Sequence, residues 1–116
     1  DQNALWNQNL RGNFRILLLN NGGGGIFRQL HGLEKSPVRD RFVAASHTTS
    51  AAGVCRQNDV YYRSVNNLSE LAEGIDCLIH EHRMQYSDRP MLLEVFTDSS
   101  EDERIYKEYY KILGSR

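Results

Sequence analysis

Three short runs of apolar residues divide the chain and predict three β-strands. They cover residues 14–19, 60–65 and 91–96. Continuous apolar runs of this length are typical of parallel strands in α/β proteins, which are buried on both faces. The first run is almost entirely apolar, so we expect it to be covered on both sides. Glu94 interrupts the third run, and we expect it to lie near a sheet edge or to pair with an arginine.

Between the strands, apolar residues recur at the spacing of amphipathic helices. The predicted helical segments cover residues 1–10, 26–30, 51–55, 68–84 and the end of the chain after residue 100. Residues 31–47 contain a proline and several charges without a regular spacing. We predict an irregular segment there.

Polar residues mark where several of these helices begin. Ser100 and Glu103 have the spacing of a capping box, and Thr48 or Thr49 precedes the short helix after residue 50. Asn67 precedes the long helix in the same way. The last helix carries a stripe that we expect to face the sheet, formed by Ile105, Tyr109 and Ile112.

The alternation of strands and helices predicts an α/β fold. This order produces a three-layer parallel sheet with right-handed crossovers and helices on both faces. The length of 116 residues suits one domain, so we interpret residues 1–116 as a single domain. Three strands are few for such a sheet, and the chain opens on Asp1 without a methionine. We therefore expect the chain to be part of a longer protein.

Composition narrows the range of functions. The formal net charge is −1 and the Lys and Arg residues are scattered, which argues against a nucleic-acid-binding surface. No apolar run approaches the roughly 18 residues that span a bilayer, and no signal-peptide pattern opens the chain. Cys55 and Cys77 lack the spacing of a redox or metal motif, so we interpret them as reduced thiols. These features favour a cytoplasmic globular protein.

The strongest candidate for chemistry is the Asn-Asn-Gly-Gly-Gly-Gly run at residues 20–25, directly after the first strand. In open α/β sheets, ligands bind beyond the carboxyl ends of the strands. Consecutive glycines allow the backbone to approach a ligand closely and to point N–H groups at an anion. An Asn amide oxygen and a backbone carbonyl are also oxygen ligands that Mg²⁺ accepts.

Two common phosphate-binding motifs do not fit this run. A P-loop ends in Gly-Lys-Ser/Thr, whereas Gly25 is followed by Ile26 and Phe27. The dinucleotide fingerprint needs a third glycine where Phe27 or Arg28 stands. From the glycines alone, a tight turn without a ligand remains an alternative to a binding site.

The Leu-Leu-Leu-Asn-Asn-Gly-Gly sequence at residues 17–23 resembles the second half of the cofactor motif of thiamin-diphosphate enzymes. In that family the motif begins Gly-Asp-Gly and ends Asn-Asn after a buried strand. The resemblance implies that the Asn21 side chain and the Gly23 carbonyl bind Mg²⁺ or Mn²⁺, and that Gly24 approaches the diphosphate. It also implies a truncated thiamin-diphosphate-binding (pyrophosphate) domain, of which this chain is the carboxy-terminal portion.

Within that family the chain is most similar to the synthases of the menaquinone pathway. The similarity rests on Asp1-x-Asn3-Ala4-Leu5, on residues 20–27 and on the Arg-Asp-Arg-Phe sequence at residues 39–42. It implies that Ile26 and Phe27 line the pocket for the thiazolium ring and the substrate. It further implies a transferase that decarboxylates 2-oxoglutarate and adds the product carbanion to isochorismate. Such an enzyme works as a homodimer or homotetramer, together with the remaining domains of its own chain.

The resemblance also implies that this chain is inactive by itself. Only 19 residues precede Asn20, so the Gly-Asp half of the motif is absent. The glutamate that activates the thiamin ring lies, in that family, on another domain contributed by the partner subunit. We therefore assign no catalytic residue within residues 1–116. The alternative is a non-catalytic α/β module that binds a phosphorylated ligand or a partner protein through its glycine loop.

Several further side chains have simple structural interpretations. We interpret His31 as a solvated loop histidine, since it has no partner nearby in the sequence. His80 and His82 are two residues apart on a predicted helix, and therefore point to different faces and make a poor metal pair. We expect the tyrosines of the last helix to pack against the sheet rather than to stack on nucleic-acid bases.

Overall fold

The computed structural model describes residues 2–7, 9–33, 35–80 and 88–115, apart from the side chain of Gln2. The chain forms two compact units. The first comprises Asp1–Leu19 and Ser50–Phe96, and the second comprises Asn20–Thr49 and Thr97–Arg116. The β-sheet belongs to the first unit, apart from the last residue of its first strand, and the glycine loop belongs to the second.

A small parallel sheet forms the centre of the first unit. Its strands are β1 (Arg15–Asn20), β2 (Tyr61–Val65) and β3 (Met91–Phe96), in the order β1-β3-β2. In the β2–β3 pair, Tyr61 lies opposite Met91 and Val65 opposite Val95. The Met91 N–H donates to the Phe14 carbonyl oxygen at 3.1 Å, which ties β3 to the start of β1. All three strand predictions are confirmed, with ends that agree to within one residue.

Helical segments cover both faces of this sheet. The helix α1 (Ala52–Gln57) and the 3₁₀ helix Gln2–Trp6 belong to one face, and α2 (Leu68–Ile79) belongs to the other. The core on the α2 face consists of Val65, Leu78, Met91, Leu93 and Val95. The core on the α1 face consists of Cys55, Val60 and Leu92. The predicted three-layer α/β architecture is therefore confirmed for the first unit.

Gly74 determines how closely α2 packs on the sheet. A Cβ atom at this position would lie 2.9 Å from Cδ1 of Leu93 and 3.3 Å from Cγ1 of Val65. Leu93 is fully buried in the central strand, so its side chain has little room to move away. The absence of a side chain at Gly74 lets the helix backbone lie directly on β3.

Glu94 is a fully buried carboxylate in the central strand, so the prediction of an edge position was wrong. The Tyr62 hydroxyl donates to its Oε2 at 2.6 Å, and the Ala51 N–H donates to its two oxygens at 3.1 and 3.2 Å. Burial, followed by this hydrogen bond to Glu94, raises the pKa of Tyr62. The carboxylate is tolerated because the tertiary fold brings it two donors that are distant in sequence.

Only one face of the edge strand β1 is covered, so the prediction that it is buried on both faces was wrong. Ile16 and Leu18 pack into the α1-side core. Leu17 is 49% exposed and Leu19 is 66% exposed. The physical reason is that α2 packs against β2 and β3, which leaves this side of β1 open.

The helix α2 begins as predicted and ends earlier than the predicted 68–84. The Asn67 side-chain oxygen accepts the Glu70 N–H at 2.9 Å and so caps its start. At the other end, His80 has an extended backbone, and its imidazole Nδ1 lies 3.1 Å from the Asp76 carbonyl oxygen. The rest of the predicted helix, including His82, lies outside the described residues.

The second unit contains the glycine loop, a 3₁₀ helix (Gly25–Arg28), a π-helical turn (Arg39–Val43) and the long helix α3 (Ser99–Gly114). The 3₁₀ helix matches the short helix predicted at 26–30. The π-helical turn lies in the segment predicted to be irregular. None of the described helices is long and apolar enough to cross a membrane.

Two of the predicted helix caps were wrong. Asp98 caps α3, because its carboxylate accepts the N–H groups of Ser100 and Glu101 at 3.0 and 2.9 Å. Asp98 is as good a cap as Ser100, and it starts the helix two residues earlier. At α1 the N-cap is Ala51, with no side-chain cap, in place of a threonine.

The apolar stripe of α3, which we expected to be buried, is more than half exposed. Its members are Ile105, Tyr109 and Ile112. Ion pairs run along the helix surface instead, from Arg104 to Glu101 and Glu108. These i, i+3 and i, i+4 pairs stabilise the helix locally.

Candidate functional site

The glycine loop begins where β1 ends, and it is held together by its own asparagines. The Asn20 side-chain oxygen accepts the Gly22 N–H at 3.0 Å, and the Asn21 side-chain oxygen accepts the Gly23 N–H at 3.1 Å. Gly22 has a φ of 71°, a left-handed conformation that favours glycine. The two asparagines therefore form successive tight turns that fix the loop without any ligand.

A second segment, residues 44–49, lies alongside the loop and bonds to it at three points. The Gly24 N–H donates to the Ala44 carbonyl oxygen at 2.7 Å, and the His47 N–H donates to the Gly22 carbonyl oxygen at 2.8 Å. The Asn20 side-chain amide donates to the Thr49 carbonyl oxygen at 2.9 Å. This segment contributes backbone atoms only, which is why the sequence alone did not single it out.

The glycines are required by this close packing. A Cβ atom at Gly22 would lie 3.0 Å from the His47 carbonyl oxygen, and one at Gly23 would lie 3.1 Å from that of Ala44. At Gly24 it would meet the Phe27 ring at 2.7 Å. A side chain at any of these positions would push the loop away from its neighbours.

Three N–H groups of the loop are already occupied, which differs from the expectation that they point at an anion. Those of Gly22, Gly23 and Gly24 donate to Asn20, Asn21 and Ala44 respectively. A phosphate group would have to break these bonds before it bound to them. These three N–H groups are therefore not free to bind a phosphate, and an anion at the loop would need a positive charge supplied by another group.

The oxygen atoms of the loop fit a divalent metal better. The Asn21 side-chain oxygen accepts one hydrogen bond and has a second lone pair, and among the described residues nothing donates to the Gly23 carbonyl. Both atoms are hard oxygen donors of the kind that Mg²⁺ prefers. A cavity of about 10 Å³ beside the loop, lined by Asn21 and Gly22–Gly25, has room for an occupant the size of one water. Within the described ranges, no cluster of three or more His, Cys, Asp or Glu side chains forms a further metal site.

The 3₁₀ helix that follows places Ile26 and Phe27 differently. Ile26 is 63% exposed and lines an open cleft of about 460 Å³ together with Asn21, Gln29 and Tyr106. The Phe27 ring is half-buried and packs over Gly24 instead. The structure thus brings Asn21 and Ile26 to one cleft, whereas Phe27 supports the loop from beneath its glycines.

No protein-family model matches the chain, but curated relatives do. It is 44% identical over 116 residues to 2-succinyl-5-enolpyruvyl-6-hydroxy-3-cyclohexene-1-carboxylate synthase of Bacteroides thetaiotaomicron, and 47% identical over 117 residues to that of Phocaeicola vulgatus. A synthase of the same name from Desulfotalea psychrophila is 42% identical over 98 residues. These matches cover 100%, 100% and 84% of this chain. In sequence, the chain belongs to this synthase family. It spans about a fifth of the length of these relatives, 17–20%.

An arginine next to the loop is a functional candidate that the sequence did not reveal. Arg28 ends the 3₁₀ helix and lines the small cavity beside the glycines. Its guanidinium lies 3.1 Å from Asp40 and 3.7 Å from Glu103. The hydrogen bond from Arg39, helped by the charge of Arg28, lowers the pKa of Asp40. No sequence spacing indicates this cluster, because its members come from three separate segments.

The histidine and the two cysteines that the sequence raised as candidates lie in environments without a sign of function. His31 is exposed, as predicted for a solvated loop residue. Cys55 and Cys77 are free thiols, which agrees with the interpretation of reduced cysteines. Burial raises the pKa of the Cys55 thiol, so it is a packing residue rather than a nucleophile.

Proposed function

We propose that the chain is the carboxy-terminal portion of the thiamin-diphosphate-binding domain of a menaquinone-pathway synthase. The observation that carries this proposal is the paired oxygen donors of Asn21 and Gly23, on a glycine loop at the carboxyl end of β1. The names of the relatives support the same assignment. In this proposal both compact units, residues 1–116, belong to that one domain.

Each loop residue has a separate role in the proposed site. The Asn21 side-chain oxygen and the Gly23 carbonyl oxygen would hold Mg²⁺ or Mn²⁺, which would supply the positive charge that a diphosphate needs. Gly24 lets the backbone lie close to the diphosphate, because it carries no side chain. Ile26 and Phe27 form the apolar wall for the thiazolium ring and the substrate, with Ile26 exposed to the cleft and Phe27 holding the loop.

The reaction that we propose for the whole protein joins two substrates. When bound, thiamin diphosphate supplies the electron sink that a 2-oxo acid needs in order to lose carbon dioxide. 2-Oxoglutarate is decarboxylated, and the product carbanion adds to isochorismate. The residues of this chain bind and orient the reactants, and the apolar wall excludes water from them. We assign no proton-transfer group to them, so the isolated chain should be inactive; the working enzyme is a cytoplasmic homodimer or homotetramer.

The alternative module, which would bind a phosphorylated ligand directly through the loop, has less support. It needs free N–H donors, and those of Gly22, Gly23 and Gly24 are bonded within the protein. A metal-mediated site needs oxygen acceptors, which the loop retains. The two proposals therefore differ in whether binding requires a divalent metal.

The test is calorimetry on the full-length enzyme with thiamin diphosphate, in the presence and absence of Mg²⁺. We expect Asn21→Ala to weaken cofactor binding by about 100-fold or more, since even the outer-shell partners of metal ligands are worth 10- to 100-fold in affinity. Asn21→Asp is the matched variant, because it keeps both the oxygen ligand and the acceptor for the Gly23 N–H. Unchanged binding in Asn21→Ala, or equal loss in both variants, would show that Asn21 is not a metal ligand.

A further inference from the structure

Arg28 links three segments of the second unit. Its Nη2 lies 3.1 Å from Oδ1 of Asp40, in the π-helical turn. Its Nη1 lies 3.7 Å from Oε2 of Glu103 and 3.4 Å from the Ser100 hydroxyl, both on α3. A single guanidinium therefore connects the 3₁₀ helix after the glycine loop to two other elements.

The link is partly shielded from solvent, and its carboxylates do not depend on it alone. The Arg28 side chain is only 14% exposed and that of Glu103 18%, so solvent screens this pair less than an ordinary surface pair. Asp40 also pairs with Arg39 at 3.0 Å, and Glu103 also pairs with Lys107 at 2.6 Å. Removal of Arg28 would therefore cut the connection without leaving an unpaired carboxylate behind.

Two of the three elements that Arg28 joins, the 3₁₀ helix and α3, form walls of the open cleft. Ile26 lies on the 3₁₀ helix, two residues before Arg28, and Tyr106 lies on α3, three residues after Glu103. Both side chains line the cleft of about 460 Å³. The ion pair between Arg28 and Glu103 thus spans the two elements that bound the cleft and limits how far they can separate.

We infer that Arg28 is a positioning residue that sets the width of the cleft in which the acceptor substrate binds. It acts through Asp40 and Glu103, and does not itself contact the reacting atoms. This inference rests on the proposed function, because the acceptor isochorismate is assigned there. Tyr106 becomes the second wall of the acceptor pocket, opposite Ile26.

Steady-state kinetics of the full-length enzyme test this role. We expect Arg28→Ala to raise the KM for isochorismate by about tenfold, the effect of losing roughly 1.4 kcal/mol of binding free energy. The Kd of thiamin diphosphate should change by less than about twofold, because the metal-binding oxygens are untouched. Arg28→Lys should restore the KM only in part, since an ammonium group cannot serve two carboxylates as a planar guanidinium does.

A double-mutant cycle separates positioning from a general loss of stability. If Arg28 acts through Asp40, the effects of Arg28→Ala and Asp40→Ala on the KM are not additive in the double variant. Arg104→Ala is the matched control, because it breaks two ion pairs on α3 that do not reach the loop. Its KM should equal that of the wild type. Additive effects, or an unchanged KM in Arg28→Ala, would overturn the inference.

Hydrogen exchange gives a measurement that does not depend on activity. Arg28→Ala should speed the exchange of backbone amides in residues 25–28 and 39–43 together, while Arg104→Ala leaves them unchanged. If the wild-type enzyme lacked synthase activity, the proposed function would fail, and the exchange data would still decide whether Arg28 links these segments. Unchanged exchange in both segments would refute the link.

Discussion

The glycine loop and Glu94 show how far the role of a residue can be interpreted without the fold. Asn21 and Gly23 were singled out because they stand in a short, specific run that resembles a family motif, and their role as metal ligands stays a prediction. Glu94 was misplaced because its donors, Tyr62 and the Ala51 N–H, are 32 and 43 residues away. Arg28 was missed for the same reason. A side chain whose partners are all distant in sequence leaves no local pattern to find.

The Tyr62 hydroxyl should stabilise the fold through Glu94. We expect Tyr62→Phe to lower the free energy of unfolding by about 1–3 kcal/mol, because it removes a donor from a buried carboxylate. Urea unfolding of the chain measures this loss. Tyr109→Phe is the control, since it removes a hydroxyl from an exposed ring. Equal stabilities of the two variants would mean that the Tyr62–Glu94 bond contributes nothing.

The hydrogen bond between Tyr62 and Glu94 should also make the free energy of unfolding fall at alkaline pH. The folded state raises the pKa of Tyr62 above its ordinary value of 10.0, so the neutral phenol is favoured on folding. This contribution is fully present below about pH 10 and is lost as the pH rises through the raised pKa. Stability measured from pH 8 to 11 should therefore fall less steeply in Tyr62→Phe than in the wild type.

At the level of elements, the strands were predictable and the helix ends were not. Each strand in this sheet is a short run of apolar residues, so the ends of the run predict the ends of the strand. A helix end depends on competition between nearby capping groups. Asp98 begins α3 although Ser100 had the spacing of a capping box, and His80 ends α2 although the apolar spacing continues.

Two helical glycines should respond to alanine in opposite directions. Gly74→Ala gains helix propensity of about 1 kcal/mol but overpacks the buried Leu93 at a cost of about 1–3 kcal/mol. We therefore expect net destabilisation of up to about 2 kcal/mol. Gly53→Ala, on α1 with nothing within 4 Å of its added Cβ, should stabilise by up to about 1 kcal/mol. Denaturant midpoints of both variants test the contrast, and stabilisation by Gly74→Ala would contradict it.

At the level of the whole molecule, the order of strands and helices was enough to predict the α/β class. The burial of individual apolar residues could not be predicted from that order. Apolar residues on β1 and α3 were expected to be covered, and several are exposed in this chain of 116 residues. A sequence records how apolar each residue is. It does not record which surface covers that residue, because that depends on distant segments.

The exposed face of β1 should make the isolated chain associate. Leu17 and Leu19 lie side by side on one face of an edge strand, and such edges promote pairing with other chains. Sedimentation velocity should show a mass above 13.4 kDa that increases with concentration. Replacing both leucines with glutamine should reduce this association, whereas Leu68→Gln, at an exposed position on α2, should not. A mass that stays monomeric at all concentrations would show that the exposed face of β1 does not promote association.

The self-bonded glycine loop has a consequence for the order of events at the site. The N–H groups of Gly22, Gly23 and Gly24 already donate within the protein. The loop therefore presents oxygen acceptors to a ligand more readily than N–H donors. In the proposed site we therefore expect a cation to bind without rearranging the loop, whereas an anion on these N–H groups would have to break their hydrogen bonds. If the proposed metal site is right, we expect ordered binding, in which the metal, alone or together with the diphosphate, binds first and free phosphate competes poorly.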